Sequence, residues 1–189
     1  MSEMGAKKFF LNRMVSVFKS VTGLLPILMA LLLPCCVGLT ALAQSEGGQT
    51  DFSLFGGYLL PSQIQNVTDI LPLFGARYAF NFTSVALELE AENAHAEGVD
   101  WTQAALSFRF SVPIDAGIEG LFYAGPDAIW YIPNGDTTRL LDLGFHAGVA
   151  GVAQVKDSLW LRADLKFVGN PGASLYILAG LMFRPSGGL

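Results

Sequence analysis

From Val85 to Glu92 the chain alternates without a break: Val85, Leu87, Leu89 and Ala91 fall on one side, Glu88, Glu90 and Glu92 on the other. Successive side chains point to opposite faces only in an extended strand, whereas a helix would scatter these glutamates around its axis. The pattern recurs at Leu159–Phe167, with Leu159, Leu161, Ala163, Leu165 and Phe167 against Trp160, Arg162, Asp164 and Lys166. A third copy sets Ala104, Leu106, Phe108, Phe110 and Val112 against Gln103, Ser107, Arg109 and Ser111. No window after residue 50 sustains a period of 3.6, so the chain reads as all-β.

Filling the intervals predicts eight strands, at 51–60, 71–82, 85–94, 101–112, 116–125, 142–154, 159–168 and 173–184. An even number of strands, most close to the roughly 9 to 11 residues that cross a bilayer at a tilt, fits a transmembrane barrel. The links alternate in length. Thr83-Ser84, Pro113-Ile114-Asp115 and Lys156-Asp157-Ser158 are short, whereas Pro61 to Ile70 and Pro126 to Leu141 are long. Short turns at one end and long loops at the other define an up-and-down antiparallel meander; only the link from Gly169 to Gly172 is shorter than the pattern asks.

Soluble sandwiches and lipocalin-like barrels alternate as well, and composition separates them from a membrane barrel. Only 14% of residues are charged while 52% are hydrophobic, too few charges to coat a water-facing sheet. The less apolar face of strand six offers Gly144, His146, Gly148 and Ala150, and that of strand eight Tyr176, Gly180 and Met182, small or sparse residues suited to a narrow interior. The bulky face then meets lipid. A sheet in hydrocarbon must close, because an open edge leaves backbone groups unpaired at several kcal/mol each. Tyr58, Trp101, Trp130, Tyr131 and Trp160, near strand ends, are expected to form interfacial girdles.

The N-terminus reads as an export signal over 1–43. Lys7, Lys8, Arg13 and Lys19 precede an apolar run from Leu24 to Leu39 that ends at Ala41-Leu42-Ala43. Met14 would open a signal of more ordinary length. Residues 44–50 then form a flexible lead, 51–184 the barrel and 185–189 a tail. Cys35 and Cys36, the chain's two cysteines, leave with the signal, which excludes disulfides and thiolate chemistry from the processed chain. Of 11 Lys+Arg and 16 Asp+Glu, the signal removes four and one, leaving 7 against 15. That acidic balance excludes a nucleic-acid footprint.

With the bulky face outward, a charge network of Arg77, Glu88, Glu90, Arg109, Glu119, Arg162, Asp164 and Lys166 fills the lumen, joined by Glu92 and His146. Enclosed charges must pair, so Glu88 and Glu90 are expected to meet Arg77 and Arg109 and plug the barrel. His95 and His146 are the candidate bases of the processed chain. His95 reads as a solvated loop residue near Glu92 and Glu97, and His146 as a hydrogen-bonded lumen filler. Asp127, Asp136 and Asp142 match no calcium loop and read as solvated turn residues. The expectation is a protein without catalytic residues, metal or cofactor. The alternatives are a narrow channel, a lipid A modifying enzyme and a soluble periplasmic ligand-binding barrel.

Phe52 to Phe183 resembles the OmpA/OmpX-like family of small outer-membrane barrels in strand pattern and loop alternation. Leu175 to Phe183 resembles the terminal assembly signal of that class, with Gly180 three residues before the aromatic Phe183; Arg184 to Leu189 extend beyond it, and Leu178 stands where a polar residue is usual. The resemblance implies a monomer in the bacterial outer membrane, surrounded by lipid and lipopolysaccharide. It also implies recognition of the last strand by the barrel assembly machinery and an envelope or surface role through the outer loops.

Overall fold

A computed structural model describes residues 49–62, 64, 67–82, 85–96, 99–132 and 138–185. The expected signal at 1–43, most of the 44–50 lead, Glu97, Asp136 and the end of the 185–189 tail lie outside the described residues. The rest forms eight strands: β1 (Gln49–Pro61), β2 (Leu71–Phe82), β3 (Val85–Ala96), β4 (Val99–Asp115), β5 (Ile118–Ile132), β6 (Leu140–Lys156), β7 (Leu159–Val168) and β8 (Ser174–Phe183). Each pairs antiparallel with its sequence neighbour, and β8 closes on β1 from Phe52↔Phe183 to Pro61↔Ser174. Closure removes the two open edges that an eight-strand meander would otherwise expose.

Most strand ends shift by a few residues from the sequence reading, and three of the differences bear on the lumen and its turns. β4 runs on to Asp115, and the link is the two-residue turn Ala116–Gly117 rather than Pro113-Ile114-Asp115. Gly117 has φ +74°, which a two-residue turn needs and glycine supplies without strain. Pro113, which lacks an N–H, is accommodated by a register shift between Pro113 and Asp115. β5 continues through Pro126 to Ile132, where a loop is expected. The β4–β5 pairing lapses between Ala105↔Asp127 and Phe108↔Ala124 and resumes in the same register, so the proline interrupts the ladder without ending the strand. β1 opens at Gln49, two residues inside the expected lead.

The outward face carries Phe52, Leu54, Phe110, Phe122, Phe145, Leu165 and Ile177, all exposed, with Phe145 at 74%. Exposing such a band to water would cost about 25 cal/mol per Å² of apolar surface, and lipid removes that cost. The inward face divides by height. Toward the long loops, Leu59, Leu71, Leu73, Val99, Trp101, Ile129, Val168 and Leu178 form one apolar cluster, to which Ile64 and Val67 of the β1–β2 connection add a cap. Toward the turns, Leu121, Tyr123, Val152, Trp160 and Met182 line the β5–β8 wall. Charged side chains fill what remains.

Three members of the expected aromatic girdle therefore sit elsewhere. Trp101, Tyr131 and Trp160 are at most 8% exposed and belong to the lumen clusters, while Tyr58, 57% exposed, faces outward. Trp101 and Tyr131 pack ring against ring at 5.4 Å beneath the loop end.

Candidate functional site: the charged lumen

Alternation on β2, β3, β4 and β7 directs Arg77, Glu88, Glu90, Glu92, Arg109, Arg162, Asp164 and Lys166 inward, all at most 6% exposed. Pairing of β2 with β3 places Arg77 opposite Glu90, and pairing of β3 with β4 places Glu88 opposite Ser107, two pairs along from Arg109 on the same face. Glu88 is the hub. Arg109 Nη1 donates to its Oε2 at 2.7 Å, and Arg162 grips both oxygens, at 2.7 Å and 3.1 Å. A two-pronged guanidinium–carboxylate contact is among the strongest charge-assisted hydrogen bonds.

The network spreads from there along the barrel axis. Arg77 bonds Glu90 on the facing strand and Asp164 across the lumen at 3.1 Å, with its guanidinium 4.1 Å from the Phe55 ring. Lys166 donates to Glu90 and to Glu92, the latter at 2.6 Å, and lies 4.3 Å from the Tyr176 ring. Toward the turns, Arg109 Nη2 reaches Asp51 and Asn81, both at 2.6 Å. Each cation thus touches two or more acceptors, which offsets the cost of removing it from water.

Glu119 lies apart from this core. It sits half-buried at the turn-end mouth, where Arg184 holds it at 2.8 Å and reaches Asp51 at 3.0 Å. Arg184, one residue beyond β8, also covers the Trp160 ring at 4.8 Å. Partial burial opposes its charge, but hydrogen bonds and attraction from Glu119 and Asp51 outweigh that and raise its pKa above the ordinary value. Asp51 and Arg184 were not singled out from the sequence. Their signal is parity: Asp51 shares the inward phase of β1 with Ser53 and Phe55.

Six buried carboxylates accompany four buried Lys and Arg side chains among the described residues. The one with no Lys or Arg partner is Asp127, expected as a solvated turn residue and found only 5% exposed inside the barrel. β5 continues past Pro126, and that continuation carries it inward. Its Oδ2 lies 3.3 Å from His146 Nδ1 on β6, and His146 Nε2 lies 2.7 Å from the Ser107 hydroxyl on β4. Tyr123 packs beside the imidazole at 6.2 Å, over Gly148, where a Cβ would come within 2.4 Å of the tyrosine ring. His95, by contrast, is exposed at the loop end and pairs with Asp100. Among the described residues no group of three or more His, Cys, Asp or Glu is arranged to hold a metal ion.

No family model matches the sequence, and no curated protein matches it. Solved structures do match. The N-terminal β-barrel domain of Pseudomonas aeruginosa OprF superposes with a TM-score of 0.60 at 15% identity, covering 72% of this chain and 96% of that one. The fold is that of the small outer-membrane barrels. Neisserial surface protein A gives a TM-score of 0.52 at 10% identity, covering 72% of this chain and 96% of its own. A de novo designed transmembrane β-barrel gives 0.50 at 15%, covering 72% and 94%. A designed barrel in this company fits a fold specified by alternation, closure and an apolar outer band.

Proposed function

We propose that this protein is an integral barrel of the bacterial outer membrane, with a lumen that does not conduct, and that it acts in envelope structure or surface interaction through its outer loops. The observation that carries the reading is the division of the interior. An ion-paired layer around Glu88 lies beneath an apolar cap of Leu59, Leu71, Trp101, Ile129 and Leu178. A solute path would have to desolvate in the cap and then separate paired charges, and both steps are costly. What remains for interaction is the outer band and the loop end. The band meets lipid and lipopolysaccharide, the barrel stands as a monomer, and β8 is the strand offered to the assembly machinery. This role requires no turnover.

An epitope tag inserted in the β5–β6 connection tests the placement of the loops. On intact cells it is expected to bind antibody, while the same tag at the Ala116–Gly117 turn binds only after the envelope is opened. Labelling of the turn on intact cells would invert the barrel and overturn the surface role.

A further inference from the structure

At the loop end β6 rises past the wall on its β7 side. Its first pair with β7 is His146↔Val168, so Leu140–Phe145 pairs with β5 alone. The carbonyls of Leu143 and Phe145 point to the open side, where the Asn170 side-chain amide and the Gly169 N–H bond them. Backbone groups alternate between the two sides of a strand, so the N–H and C=O of Leu141 and the N–H of Leu143 face that side as well. No group among the described residues bonds them. An open edge does not lie in hydrocarbon, where each unpaired group costs several kcal/mol, so this stretch stands above the lipid. There Leu141 and Leu143 are 56% and 70% exposed. Exposed edges are ordinarily blunted by proline, lysine or a bulge. β4 shows the device at the turn end: past Val85↔Phe110, its last pair with β3, Pro113 and a register shift break the edge. The β6 edge has neither proline, lysine nor register shift. Asp142 is turned the other way, accepting a bond from the Tyr131 hydroxyl. Arg139, exposed beside the edge, has no carboxylate in ion-pair range among the described residues.

We propose that this edge captures an extended peptide segment of another protein, which adds to the sheet antiparallel to β6. The inference rests on the surface role above and names the chemistry of the partner. The segment carries apolar residues at alternate positions, which pack on Leu141 and Leu143, and an acidic side chain opposite Arg139. Because β6 runs from the loops toward the turns, antiparallel addition puts that acid near the C-terminal end of the segment. Main-chain bonds to Leu141 and Leu143 supply affinity that is indifferent to sequence, while the two leucines and Arg139 select. A second copy in the same membrane fits less well. The twofold axis along the membrane normal would run the two edges in the same direction, with their leucines on opposite faces.

The test passes the full protein, extracted from membranes in detergent, over an array of short peptides that alternate valine and threonine and carry one glutamate or one lysine at each position in turn. Retention is expected on peptides with glutamate near the C-terminus, falling about tenfold where lysine replaces it. Arg139→Glu should reverse that preference. Leu141→Pro removes an N–H that bonds nothing within the barrel, so it should abolish retention while the unboiled protein keeps the gel mobility of the wild type. Methylating the peptide amides along one edge should abolish binding, and along the other edge should not. A folded wild type retained by no peptide overturns the proposal, as does retention that Leu141→Pro leaves intact or that ignores Arg139→Glu. A dimer of the extracted protein that Leu141→Pro disperses would give the edge to a second copy and overturn it too. The epitope tag in the β5–β6 connection keeps the two readings apart. Cells that bind the antibody, with no peptide retained, sink the peptide alone; intact cells that do not bind it sink the surface role and this inference with it.

Discussion

The two ends of the lumen are filled by opposite means. At the loop end, Leu59, Leu71, Val99, Trp101, Ile129 and Leu178 exclude water by packing. At mid-barrel and toward the turns, Arg77, Glu88, Glu90, Arg109, Arg162, Asp164 and Lys166 fill the same bore with ion pairs. The apolar end tolerates change in proportion to the volume removed, because each methylene contributes separately. The charged end does not, because each group is acceptable inside only while its partners remain. In a narrow barrel both ends plug the bore, but they should fail differently.

The sharpest way to break that contrast is at the hub. Glu88→Ala removes the shared acceptor of Arg109 and Arg162, and the stranded guanidiniums should cost about 3–5 kcal/mol in urea unfolding from lipid vesicles. Added salt should leave that loss nearly unchanged, since buried pairs are poorly screened. A loss below about 1 kcal/mol would mean that the charges are hydrated and that the two ends do not differ in kind. At the other end, Leu71→Ala, fully buried in the cap, should cost about 2–4 kcal/mol in the same assay, and Leu71→Met under about 1.5 kcal/mol. A cap that loses as much with methionine as with alanine would not be packed by volume.

Much of this division follows from residues that alternate plainly. On β3 and β7, charged and apolar side chains take opposite phases, so the inward turn of Glu88, Glu90, Arg162, Asp164 and Lys166 is legible from the sequence, as are the strands that bear them. The apolar cap is not legible in the same way. Along Ala128–Ile132 both faces are apolar or aromatic, so nothing in the sequence tells inward Ile129 and Tyr131 from outward Trp130, and an inward Trp101 looks the same as a girdle tryptophan. Leu178, odd for a last strand when read by itself, is explained by the cap it enters. Pro126 reads as a stop, because strand prolines usually are, and that reading hides Asp127. The meeting of Ser107, Asp127 and His146 depends on the register of three strands, which no local pattern in any one of them carries.

The smallest effect belongs to the turn-end mouth. Arg184→Ala, which releases Glu119 where water reaches it and leaves buried Asp51 to Arg109, should cost no more than about 1 kcal/mol, and that loss should shrink in high salt. If it matched Glu88→Ala, the mouth would be part of the dry network rather than its solvated edge.

All of these comparisons rest on a closed barrel whose outer band lies in lipid. The most direct test is to wash membranes of cells that make the protein with alkaline carbonate, extract the pellet with detergent and compare gel mobility with and without boiling. The protein should stay in the membrane pellet and run at a different position unboiled, as a closed barrel that resists the gel detergent. Recovery in the soluble wash, with one mobility before and after boiling, would contradict it and place Phe110, Phe145 and Leu165 against something other than lipid.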